Sequence, residues 1–119
     1  MSVMVATTRE ADLAQRIAAL FPVEVSVATA DPTAEPATPL FHSESAAVEK
    51  ACDRRKREFH AGRTAAHRAM QLMGEPPAPV PAAANRAPLW PSHLTGSISH
   101  SETLCAAVLA NTRATPALG

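Results

Sequence analysis

The stretch Arg54-Arg55-Lys56-Arg57-Glu58-Phe59-His60-Ala61-Gly62-Arg63-Thr64-Ala65-Ala66-His67-Arg68-Ala69-Met70-Gln71-Leu72-Met73-Gly74 decides the fold. From Ala46 to Met73 there is no proline, and Ala, Glu, Lys, Arg and Met dominate, residues that cost little in a helix. The pattern predicts one long helix over about 46–73. Gly74 stands where a C-cap glycine belongs, and Pro76-Pro77 prevent continuation. Phe59, Gly62, Ala66, Ala69 or Met70, and Met73 follow spacings of three and four and form an apolar stripe. Gly62 within it costs about 1 kcal/mol against alanine. Its presence predicts close approach by another backbone or a ligand, with small-residue packing as the plainer alternative.

A second stripe lies beside the first. Lys56, His60, Arg63 and His67 follow spacings of four, three and four, and Arg55 and Arg63 stand two i+4 steps apart on either side of Phe59. Basic residues along the edge of an apolar face are placed to meet a fixed anion. Taken alone, such a run more often forms a solvated face.

On the N-terminal side, Thr7 and Glu10 match a capping box, and Leu13, Ile17 and Leu20 extend it to a short helix over about 8–20. Val23-Glu24-Val25-Ser26-Val27 alternates and predicts a strand, and the prolines between Asp31 and Pro39 predict a loop. On the C-terminal side, residues 75–91 form a proline-rich loop, which loses less entropy on ordering and can hold Arg86 and Trp90 in defined positions. Trp90 could equally cover the core. Gly96-Ser97-Ile98-Ser99-His100-Ser101 followed by the apolar run Leu104–Ala110 predicts a hairpin with His100 near its turn. The organisation expected is an N-terminal helix, strand and linker over 1–39, then a half-domain over 40–119.

The chain has 119 residues, 11 basic and 11 acidic, which fits one small domain. The zero charge is an average. Through Asp53 there are three basic residues against eight acidic; after it there are eight against three. That asymmetry points to an anionic ligand for the second part. Aromatics make up 3%, and much of the apolar content is alanine, so the core should be thin. Cys52 and Cys105 have no cysteine partner at metal spacing, which argues against a disulfide framework or zinc site and for a reducing compartment. No signal-peptide pattern and no apolar run of about 20 residues occurs, so a soluble cytoplasmic protein is expected.

Several chemistries are excluded. Ser97, Ser99 and Ser101 flank His100 without a Gly-x-Ser-x-Gly elbow, and beyond Glu75 the only carboxylate is Glu102. No Walker-type glycine loop is present, and the basic part offers too few convergent carboxylates for magnesium. A hydroxyl–imidazole pair such as Ser99-His100 near arginines suits phosphate contact.

Three motifs occur in order: Arg54 to Ala66, then Arg86-Ala87-Pro88-Leu89-Trp90-Pro91, then Gly96 to Ser101. This series resembles the 4′-phosphopantetheinyl transferases of the enterobactin-synthase and surfactin type, over about residues 40 to 119. The resemblance implies an α+β fold, one half of a pseudo-dimer, with a long helix packed on a small antiparallel sheet and coenzyme A bound between the halves. It implies transfer of the phosphopantetheine arm from coenzyme A to a serine of an acyl, peptidyl or aryl carrier protein, with Mg²⁺ required. By position, Arg55 and Arg63 resemble the helix residues at the nucleotide end of coenzyme A. Arg86 resembles the basic loop residue at a phosphate, and Ser99 and His100 the Ser/Thr-His pair at the pyrophosphate. With that resemblance the basic stripe reads as a site.

The family's Gly-Ile-Asp-x-Glu segment, whose acids hold the magnesium, would follow the hairpin, where this sequence reads Ala117-Leu118-Gly119. The metal ligands and general base of the family are therefore not among these residues, and no catalytic or metal-binding residue is assigned. Whether the chain is itself an enzyme stays open; the expectation is an inactive N-terminal half. The alternative is a non-catalytic coenzyme A or nucleotide-binding module, completed by a partner half or by self-association. A nucleic-acid binder built on Arg54–Arg57 is a third reading, against which the scarcity of stacking aromatics argues. The sequence does not choose among siderophore, polyketide and nonribosomal peptide pathways.

Overall fold

The computed structural model describes residues 25–34, 36, 38–101 and 103–112. The helix expected over 8–20, with its Thr7 and Glu10 cap, lies outside the described residues, as do Val23 and Glu24. In order, the elements are strand β1 (Ser26–Ala30), short helix α1 (His42–Ser45) running into a 3₁₀ turn (Ala46–Val48), long helix α2 (Asp53–Leu72), and strands β2 (Leu94–His100) and β3 (Cys105–Asn111). The architecture is α+β, a helix packed on a small antiparallel sheet, as expected.

The three described strands are ordered β1-β3-β2, with both pairings antiparallel. β3 is central, and its apolar run Cys105–Ala110 is buried on both faces. Cross-strand partners share a face, so the register sorts the side chains. Ser26, Ala28, Ala30, Ile98, His100, Cys105, Ala107 and Leu109 lie on one face. That face meets α2: the Ser26 hydroxyl donates to the Ala69 carbonyl (2.6 Å), and the Cys105 thiol sits 3.7 Å from the Glu58 carbonyl. Ala61, Ala65, Ala66 and Ala69 of α2 join Ala28, Ala30 and Ala107 in one core cluster, closed by Met70, Val80, Leu94 and Leu109. Methyl-sized side chains on both layers form the thin core that the composition implies.

The helix is shorter than the sequence pattern suggested. It begins at Asp53, after a turn in which the Ala51 N–H reaches the Val48 carbonyl (3.0 Å) and Cys52 takes an extended backbone (φ −69°, ψ 165°). A helix running unbroken from Ala46 would carry that residue about 30 Å along the axis from His67. Yet Glu44, two residues earlier, lies 2.7 Å from the His67 ring. Tertiary contact overrides propensity here. At the other end the Gly74 N–H bonds to Gln71 O (2.9 Å) and the Glu75 N–H to Met70 O (3.0 Å), a Schellman cap that requires the φ of +81° found at Gly74.

Of the strand expected over Val23–Val27, Ser26 and Val27 fall in β1, which runs on to Ala30 with Val27 through Ala30 all buried, while Val23 and Glu24 lie outside the described residues. Among the described residues, a Cβ at Gly62 would stand 3.1 Å from the Ile98 side chain of β2, which supports the packing alternative.

Candidate anion-binding site

Arg55, Phe59 and Arg63 lie on successive turns of α2. The Arg55 guanidinium stands 5.7 Å from the Phe59 ring centroid and that of Arg63 only 4.1 Å, so the aromatic face carries both cations. Phe59 and Arg63 are buried, at 4% and 6% exposure, whereas Arg55 is half-buried. The Arg63 Nε–H donates to the Val80 carbonyl (2.7 Å), which fixes the guanidinium plane. Its Nη2 is buried and has no hydrogen-bond partner among the described residues. Burial pulls the Arg63 guanidinium below its usual value, with Glu44 opposing and Arg55 reinforcing that effect. A buried, fixed and unsatisfied guanidinium nitrogen is a donor prepared for an anion, because an orphaned charged donor is costly until a partner arrives.

The support beneath Arg63 was not anticipated from the sequence. Glu44 is completely buried. Its Oε1 accepts the Phe41 N–H (3.0 Å), and its Oε2 accepts the Val80 N–H (2.8 Å) and lies 2.7 Å from His67 Nε2. Burial alone would raise the Glu44 carboxyl; the hydrogen bonds from His67, Val80 and Phe41 outweigh it and hold the group below its ordinary value. Val80 is therefore gripped twice, through its N–H by Glu44 and through its carbonyl by Arg63. The sequence offered one faint sign, a glutamate three residues after the start of a short helix, as in a capping box.

The basic stripe is partly structural. His60 Nε2 lies 2.7 Å from the Thr38 carbonyl, and His67 binds Glu44, so both histidines tie the segment before α2 to the helix. Lys56 is exposed.

The remaining sequence-derived residues fall in three places. His100 ends β2 opposite Cys105, on the α2 side of the sheet, at the end where Cys105 meets Glu58. The register places the adjacent Ser99 on the opposite face, and both residues are exposed. Ser101 is occupied in the hairpin turn, where its hydroxyl and N–H contact Leu104. Arg86 is exposed at the tip of a looped excursion closed by bonds from Ala83 N–H to Ala87 O (2.8 Å) and Leu89 N–H to Pro81 O (2.8 Å). It holds a φ of +73°, a left-handed conformation unusual for arginine. Trp90 packs against the core cluster. The structure thus gathers Arg55 and Arg63 on one ring and sets His100 at the same end of the sheet. No hydrogen bond or ion pair among the described residues joins Arg86 or Ser99 to them.

The described residues contain no group of three His, Cys, Asp or Glu side chains able to hold a metal ion. No helix among them is long and apolar enough to cross a membrane.

Residues 43–110, more than half of the chain, match the model for the 4′-phosphopantetheinyl transferase N-terminal domain, and the chain belongs to that family. It is similar to the 4′-phosphopantetheinyl transferase Svp of Streptomyces mobaraensis, at 33% identity over 105 residues covering 87% of this chain and 43% of that protein. It is also similar to the 4′-phosphopantetheinyl transferase Npt of Nocardia iowensis, at 33% identity over 64 residues covering 54% of this chain and 29% of that protein. The chain thus spans less than half the length of either relative.

Proposed function

We propose that this chain is the N-terminal half of a 4′-phosphopantetheinyl transferase, inactive alone, which supplies its half of the coenzyme A site through Arg55, Arg63, Arg86, Ser99 and His100 at the phosphates. The observation that carries the reading is the buried, unpartnered Nη2 of Arg63, fixed over Phe59. Coenzyme A presents a 3′-phosphate and a diphosphate, and a guanidinium fork matches phosphate oxygens. The reaction is a phosphoryl-group exchange: the carrier-protein serine oxygen bonds to the phosphorus bearing the pantetheine arm. The phosphoanhydride bond breaks, and adenosine 3′,5′-bisphosphate leaves. The chain's own contribution is to bind the nucleotide end and offset charge on the leaving group. The described residues do not fit the magnesium ion that the family implies, so no step is routed through it here.

The same absence of a described carboxylate cluster favours one second reading, a binding module that holds coenzyme A without transferring its arm. Two measurements on the 119-residue chain test the coenzyme A site and the expected inactivity. Titration calorimetry with coenzyme A should show binding that weakens about tenfold or more in Arg63→Ala, and less in His100→Ala. Incubation with coenzyme A, Mg²⁺ and an apo carrier protein then reports labelling. Binding without labelling is the outcome expected of an isolated, inactive half and of a module alike, whereas labelling removes the module and overturns the expected inactivity. No binding at all removes both readings.

A further inference from the structure

We propose that Glu44, which makes no contact with the anion site itself, is the positioning residue for Arg63, acting through Val80. This rests on the coenzyme A reading above and assigns a specific residue to the site's preorganisation. Three observations carry it. Glu44 is completely buried and accepts from three directions: Phe41 and Val80 N–H groups and the His67 ring. The Val80 carbonyl receives the Arg63 Nε–H at 2.7 Å in the interior. Arg63 Nη2 is left with no partner.

The logic is geometric. An arginine side chain has four rotatable bonds and would ordinarily turn every buried N–H toward an acceptor. Arg63 is prevented from doing so because its Nε is held to the Val80 carbonyl and its plane is stacked on Phe59. The position of that carbonyl depends on Val80, between Pro79 and Pro81, and the Glu44 bond to the Val80 N–H anchors it. The acid also matches the charge of the site. A buried cation with a second cation nearby would be hard to maintain empty, and the Glu44 carboxylate offsets it without occupying Nη2. His67 bonding to the same carboxylate oxygen limits the repulsion that Glu44 would exert on an incoming phosphate.

The test separates positioning from mere support of the fold by a double-mutant cycle. Coenzyme A affinity is measured for the wild-type chain, Glu44→Gln, Arg63→Lys and the double variant, each confirmed folded by circular dichroism. Glu44→Gln should weaken binding about tenfold beside Arg63 but less than about twofold beside lysine, which cannot make the Nε bond or the fork. In the unliganded protein, the Arg63 Nε–H resonance should be exchange-protected in wild type and lose that protection in Glu44→Gln. Should Glu44→Gln not fold, Glu44→Asp keeps the charge, shortens the reach by one methylene and is read in the same two ways. Equal penalties in both backgrounds, with a protected Nε–H retained, overturn the positioning role and leave the coenzyme A reading standing. A wild-type chain that does not bind coenzyme A overturns that reading and this role with it.

Discussion

Replacing Glu44 with alanine should be the most damaging single change to this fold outside its apolar core. The carboxylate serves three donors, and each loses its partner differently. The Val80 N–H is wholly buried, so its full desolvation cost of about 1–3 kcal/mol falls on the folded state. The His67 side chain is only 12% exposed and recovers little from water, which adds about 1 kcal/mol. Phe41 is 37% exposed, so water can replace the Glu44 contact to its N–H at small cost. The sum is about 3 kcal/mol. For a chain of this size that corresponds to a fall in Tm of roughly 12 °C. The loss should depend on pH in a definite direction. The Glu44 carboxyl is held below its ordinary value of 4.5 in the folded protein. Its ionised form therefore contributes stability above that value, and the contribution is lost as pH falls through the lowered folded value. Urea melts of wild type and Glu44→Ala from pH 7 to pH 3 should show a gap that is constant near neutrality and closes on the acid side. A gap under about 1 kcal/mol at pH 7, or one that persists unchanged to pH 3, would refute the role given to this carboxylate.

Other outcomes follow from single contacts. Gly96→Ala places a Cβ 2.4 Å from both the Leu109 side chain and the Val108 carbonyl of the central strand, which should cost about 2–3 kcal/mol in a urea melt. Burial, then Glu58 and Asp31, push the Cys105 thiol up to about 11, whereas Cys52 is exposed. A thiol reagent at pH 8 should therefore titrate one cysteine rapidly in the native protein and the second only after denaturation. Arg86→Gly relieves a left-handed backbone at the loop tip and should raise stability by about 1 kcal/mol while weakening coenzyme A binding. Unchanged calorimetric affinity in that variant would remove Arg86 from the site.

The parts of this structure legible in the sequence are those governed by local periodicity. The helix around Phe59, its Gly74 cap, the hairpin ahead of Cys105 and the placement of Arg55 and Arg63 astride one ring all follow from spacings of a few residues. The extension of β1 to Ala30 was not read because Val27 through Ala30 are all buried and show no alternation, and the pairing with β3 spans some eighty residues. The helix start was misplaced for a related reason: composition favours helix throughout 46–73, and remote contacts, Glu44 with His67 and Thr38 with His60, accompany the turn of the chain at 49–52.

Glu44 itself shows what the charge count concealed. It belongs by position to the acidic part of the chain, and its donors come from segments 3, 23 and 36 residues away, a convergence that no local pattern encodes. Folded, it lies beneath the basic helix, bonded to the Val80 N–H whose residue carries the acceptor for Arg63. The division into an acidic first part and a basic second part is therefore not a division into two functions. At least one carboxylate of the first part is structural support for the cationic site of the second, and it is held on the side of Arg63 that the anion does not need. A basic site assembled this way keeps a guanidinium nitrogen unoccupied in a buried setting, where exposed basic residues alone would have been satisfied by water.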